Sequence, residues 1–152
     1  NNDIQLGPEH IKILQWLAAK YNTKLFGPQK IAMPQYLGST DIFERADAIK
    51  SSLVSIDLGN FSCLDMAYLK VAPVVLNGSN NLYKNFKSIK ELENILDSLL
   101  SKNKERKEYC GSVYQDVISG KTFYHRVSEI FQAIGDQQRS QGSLNKLKEL
   151  IS

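Results

Sequence analysis

The sequence predicts an α/β fold: a Rossmann-like three-layer domain with a small parallel sheet and extra C-terminal helices. Three observations lead there. Residues 52–58 (SLVSIDL) and 72–77 (APVVLN) are short and almost continuously apolar, the character of strands covered on both faces. Amphipathic helical stretches alternate with these runs, and strands separated by helices pair in parallel. After Tyr83 the strands are expected to stop, leaving helical periodicity alone.

The elements follow in order. Pro8 opens PEHIKILQWLAAKY, where Ile11, Leu14, Leu17, Ala18 and Tyr21 share one helical face, and proline suits the first helical position. TKLFG (23–27) is expected as a short strand ending in glycine. PQKIAMPQYLGS (28–39), with two prolines and a glycine, is expected as a loop. Asp41 caps a helix through IFERADAIKSS. The strand 52–58 leads through Gly59, Asn60 and Ser62 into the helix CLDMAYLK, and 72–77 forms the next strand. The pair Ser88 and Glu91 has capping-box spacing ahead of a helix whose Ile89, Leu92, Leu96 and Leu99 share a face. A charged helix is expected from about Lys104 to Gly120, and Thr122 caps a last amphipathic helix that Gly135 ends. Residues 1–135 form the domain; residues 136–152 are expected to be a polar, weakly helical tail on a flexible link. The stretch IQL (4–6) is either the stub of a first strand, or that strand lies outside this sequence.

Composition removes several function classes. Nineteen basic and sixteen acidic residues are interspersed, for a net charge of +3. The densest basic stretch, SKNKERKE (101–108), also carries acidic residues and accompanies no nucleic-acid module, so it is expected to be a solvated helix start with no nucleic-acid partner. The two cysteines, Cys63 and Cys110, are far apart, and only His10 and His125 could join them, so no metal site and no cofactor are expected. The cysteine usage points to a reducing compartment, hence a cytoplasmic location. No apolar run is long enough to span a membrane. The opening residues NNDIQLGPEH look like the interior of a longer polypeptide.

Open parallel sheets bind ligands beyond the carboxyl ends of their strands. Three loops are expected there: 27–34, 59–62 and 77–82. Gly59, Asn60 and Ser62 could present backbone amides and a hydroxyl to a diphosphate at a helix start, though glycine and asparagine are also ordinary turn residues. Asp65 either supports that helix start or accepts hydrogen bonds from ribose hydroxyls. Asp57, ending a strand, raises the rival reading of a phospho-accepting receiver domain. No acidic pair accompanies Asp3, and Lys84 follows Asn77 too closely to sit on a later strand, so that reading is set aside. His125 on an amphipathic helix is expected to pack or face solvent rather than act as a base, and no nucleophile turn accompanies it; no catalytic residue can be named.

The order of three long segments carries a resemblance. YLGSTDIFERADAIKSSLVSIDL is followed by GNFSCLDMAYLKVAPVVLNGSNNLYKNF and then by SIKELENILDSLLSKNKERKEYCGSVYQDVISGKTFYHRVSEIF. Together they resemble the C-terminal, donor-binding half of a group-one glycosyltransferase of the two-Rossmann-domain (GT-B) type, in its spore-maturation-protein-like branch. Tyr36-Leu37-Gly38, Asp65, Ala72-Pro73-Val74-Val75, Leu92 to Leu100 and Thr122 to Ile130 match that family's pattern in order, over roughly residues 10–134. The resemblance implies a nucleotide-sugar donor, with Gly59, Asn60 and Ser62 near its diphosphate, Asp65 on its ribose and Gly38 near its base. It also implies an N-terminal domain of the same protein as the holder of the acceptor. Two departures stand out. Lys70-Val71-Ala72 replaces the family's usual glycine before the strand, and the family's first strand with its glycine-and-basic phosphate loop is missing. The isolated chain is therefore expected not to turn over, and a non-catalytic binding module on the same fold is the alternative.

Overall fold

A computed structural model describes residues 6–27, 30–38, 41–58, 63–78 and 81–152. Its helices are α1 (Pro8–Lys20), α2 (Ile42–Lys50), α3 (Cys63–Tyr68), α4 (Ile89–Ser101), α5 (Asn103–Gly120), α6 (Phe123–Ala133) and α7 (Gln137–Ile151). Its strands, β1 (Val54–Asp57), β2 (Ala72–Leu76) and β3 (Lys84–Phe86), form one parallel sheet in the order β1-β2-β3. The α/β class and the small parallel sheet thus stand as expected.

The layers follow from alternation along β2, buried from Ala72 to Val75. Ala72 and Val74 face a cluster built with Ile13 and Leu17 of α1 and Leu92, Leu96 and Leu99 of α4. Val75 faces the other way, onto Ala67 of α3 and Val113 and Val117 of α5. Side chains with period two in a central strand thus meet an apolar helix stripe on each face. A smaller cluster of Ile49, Met66 and Val71 ties α2 to α3.

The caps act where the sequence places them. Asp41 Oδ1 accepts from the amides of Phe43 and Glu44 at 2.8 Å each. Ser88 accepts from the amide of Glu91 at 3.2 Å, while the Glu91 carboxylate accepts from the amide of Lys87 at 2.7 Å, one residue before the position a strict capping box would use. Gly135 ends α6 at φ +80, a conformation open to glycine.

Four expectations need correction. The strands do not stop at Tyr83: Lys84–Phe86 form β3, with Phe86 fully buried beside β2. One apolar residue in three carries no readable period, so the packing under Phe86 creates this strand. With it falls the argument that Lys84 cannot lie on a later strand, although Asp57 is only 3% exposed, a poor position for a phospho-acceptor. TKLFG does not join the sheet; Leu25 makes an isolated parallel bridge to Tyr36, inside the stretch expected as loop. Among the described residues β1 is an edge strand, and its Val54, Ser55 and Ile56 are half-buried rather than fully covered. Residues 137–151, expected as a weakly helical tail, form the full helix α7, which packs on α6. Asp136 caps α7 through the Arg139 amide at 3.0 Å, and the hydroxyls of Ser128 and Ser140 meet at 2.7 Å in the buried seam with Leu147 nearby in α7. Of the IQL stretch, Ile4 and Gln5 lie outside the described residues, and Leu6 belongs to no strand.

Candidate functional site

Register places the carboxyl ends of β1 and β2 side by side, with Asp57 opposite Val75. A parallel sheet with this arrangement delivers the turn after β1 and the turn after β2 to one edge. Gly59, Asn60 and Ser62, three of the five candidate donor-binding residues, lie outside the described residues. Asp65 is in the first turn of α3, where its carboxylate accepts from Arg45 Nη2 of α2 at 3.1 Å. Both side chains are about half exposed, at 45% and 53%, so water screens this pair and it is a weak structural tie. Asp65 is thus open to solvent, with Arg45 as the cation beside it.

Gly38 sits apart from Asp65. It has φ +94, and its carbonyl accepts from the amide of Gly27 at 3.2 Å, just past the Leu25–Tyr36 bridge. Tyr36 secures the same turn, donating its hydroxyl to the Gly27 carbonyl at 2.7 Å. The left-handed backbone, not contact, explains the glycine, since a Cβ there would meet nothing within 4 Å.

A cavity of about 720 Å³ runs along β1 from Leu53 to Leu58 and is also lined by Gly27, Arg45 and Met66. Arg45 thus links Asp65 to the cavity, and Gly27 links Gly38 to it. Sequence reasoning missed Arg45, because a contact across twenty residues between two helices leaves no local spacing to read.

A second cavity, about 510 Å³, lies at the amino ends of the strands and is lined by Lys70, Arg106, Lys107 and Tyr114. Two of its cations, Lys70 and Arg106, are already engaged. Lys70 Nζ sits 4.3 Å from the Tyr114 ring centroid, and Arg106 donates to the Leu99 carbonyl at 2.6 Å and to Asn103 Oδ1 at 2.8 Å. Lys70 has φ +59. It occupies the left-handed helix stop that favours glycine.

Both histidines cap helices. His10 Nδ1 accepts from the Gly7 amide at 3.0 Å, and His125 Nδ1 lies 2.8 Å from Thr122 Oγ1. Cys110 is buried, which pushes its thiol pKa up and keeps it protonated and unreactive at neutral pH. Among the described residues, no group of three or more metal-ligating side chains comes together, and no helix is long and apolar enough to cross a membrane. Comparison with known protein families, curated proteins and solved structures found no match to this chain.

Proposed function

We propose that this chain is the Rossmann-like donor-binding half of a GT-B glycosyltransferase. It binds a nucleotide-diphosphate sugar whose sugar passes to an acceptor held by an N-terminal domain of the same protein. The observation that carries the reading is the adjacency of the carboxyl ends of β1 and β2, with Asp65 in the first turn of the helix after β1. The ordered resemblance of residues 10–134 supplies the donor class.

In this reading Gly59, Asn60 and Ser62 approach the diphosphate, Asp65 accepts from the ribose hydroxyls, and Gly38 shapes the base pocket. Arg45 lets go of Asp65 when the ribose arrives and turns its guanidinium toward the diphosphate. A fixed cation there stabilises the charge that develops on the leaving diphosphate. The domain orients the donor; the acceptor and its activation belong to the other half, so the isolated chain has no sugar-transfer activity.

Calorimetric titration with UDP, GDP, ADP and CMP tests this. One diphosphate nucleotide binds in preference to the others, and Asp65→Ala weakens it about tenfold or more, the loss of a charge-assisted hydrogen bond worth roughly 1.5–3 kcal/mol. Equal, weak binding of all four, unchanged in the variant, overturns the assignment. The Asp65–Arg45 pair and the lysine at the glycine-favouring stop favour a second reading, a non-catalytic module on the same fold. That reading predicts no nucleotide preference.

A further inference from the structure

The edge of the sheet opposite the candidate donor site carries positive charge that no carboxylate among the described residues balances. There the residues just ahead of β1 and β2, Leu53 and Lys70, meet α5 around the 510 Å³ cavity. Lys70, Arg106 and Lys107 line it, and no acidic residue does. Lys70 and Arg106 are engaged but not neutralised, since their partners are a ring, a backbone carbonyl and an amide oxygen. Lys107 has Asn103, Lys104, Cys110 and Gly111 at the helical positions that face it, none of them acidic. Elsewhere on α5 the pattern is the reverse. Lys104 pairs with Glu108 at 3.9 Å, and Lys121, just past the helix, bonds Asp116.

Between these cations the surface is apolar. Cys110 and Tyr114 form the floor, and Leu53 stands 57% exposed at one rim. The Tyr114 ring lies 6.3 Å from that of Tyr68, itself 45% exposed, so the apolar strip continues onto α3. Exposed side chains of this size gathered beside a cleft mark interaction surfaces. Gly111 opens the wall. It sits in the middle of the 18-residue α5, where glycine costs stability, and a Cβ there would meet nothing within 4 Å. Packing among the described residues does not call for that glycine, whereas a partner lying close against α5 would.

Charge and shape together select the occupant. A phosphate is gripped by a guanidinium fork, but Arg106 has both of its terminal nitrogens committed, to Leu99 and Asn103. The cleft offers instead undirected positive charge around an apolar floor, which suits carboxylates spaced about an apolar side chain. Its volume lies within the range of about 300–1,000 Å³ that ligand clefts span. We propose that this cleft docks an acidic peptide segment of a partner protein. An apolar side chain of the segment seats against Cys110, Gly111 and Tyr114, while flanking aspartates and glutamates meet Lys70, Arg106 and Lys107. The inference is independent of which nucleotide, if any, the chain binds at the other edge.

A short peptide in which aspartates and glutamates flank one leucine and one phenylalanine serves as the probe. It is titrated against the 152-residue chain by fluorescence anisotropy and by nitrogen–proton NMR. Binding saturates, with shifts centred on Leu53, Lys70, Lys107, Gly111 and Tyr114. Lys107→Glu weakens it about tenfold or more by reversing a facing charge, and Gly111→Leu does the same by filling the cleft. Neither variant threatens the fold, because Lys107 is exposed and leucine is a better helix former than glycine in open space. The same peptide with its leucine and phenylalanine changed to serine binds at least about tenfold more weakly. Four results each overturn the proposal: no binding, equal binding by the serine peptide, binding that either variant leaves unchanged, or a single-stranded RNA oligonucleotide that shifts the same residues at lower concentration than the peptide. All of them read the amino-end edge, whereas nucleotide titration reads Gly59–Asp65, so the two proposals fail separately.

Discussion

Lys70 holds a backbone conformation that costs an L-residue about 1–2 kcal/mol. Its contact with the Tyr114 ring returns roughly 0.5–1 kcal/mol. Lys70→Gly is therefore close to neutral, since strain relief offsets the lost contact and the added chain entropy. Lys70→Val, with a branched Cβ at positive φ, is about 1–2 kcal/mol less stable than Lys70→Gly by urea unfolding. Equal stabilities for the two variants would show that the helix stop is unstrained. That the 70–72 stretch lacks a glycine was legible in the sequence; the positive φ of Lys70 was not. Backbone sign at one position is set by the tertiary path into β2, and no local motif reports it. Asp65 was legible as a helix-start acid, and its partner Arg45 was not.

At the scale of elements, the Tyr109 hydroxyl helps fasten α5 to the sheet. Tyr109 donates to the Pro73 carbonyl at 2.6 Å and accepts from the Lys84 amide at 2.9 Å, bridging β2 and β3. Tyr109→Phe leaves both backbone groups short of a partner, and it lowers stability by about 2 kcal/mol in chemical denaturation; a change under about 0.5 kcal/mol would mean that water substitutes freely. A second tie joins α1 to α4, where the Lys20 ammonium bonds the Glu93 carboxylate. Bonding to Lys20 and then to Lys90 holds the Glu93 carboxyl below its ordinary range. A carboxylate depressed in the folded state adds stability above its unfolded pKa and loses it as pH falls through the folded value. Lys20→Met should accordingly lower stability slightly at neutral pH, where the pair is intact, and flatten the loss measured below about pH 4.5, so that the two proteins converge in acid. The helices α1, α2, α4 and α6 were legible because start residues and a 3.6-residue apolar period mark them, and α5 because Gly120 marks its end. β3 was not, since burial of Phe86 alone makes a strand of three residues. α7 was read as weak because its polar run hides a seam of Ser140 and Leu147 that forms only against α6.

For the whole molecule, alternation of strands and helices was enough to give an α/β class with a parallel sheet, because right-handed, non-crossing connections leave few other arrangements. The width of the sheet was not legible. Whether Lys24–Gly27 reaches β1 depends on what lies between them, and that is a property of assembled layers rather than of either segment. The site, too, depends on assembly: strand ends meet at one edge by register. The most direct measurement is a nitrogen–proton NMR titration of the labelled chain with UDP, GDP, ADP and CMP. Donor binding at this edge gives selective shifts with one diphosphate nucleotide, confined to Gly59–Asp65, Arg45 and the turn after β2. Shifts centred instead on Lys70, Arg106 and Lys107, or none with any nucleotide, would contradict it.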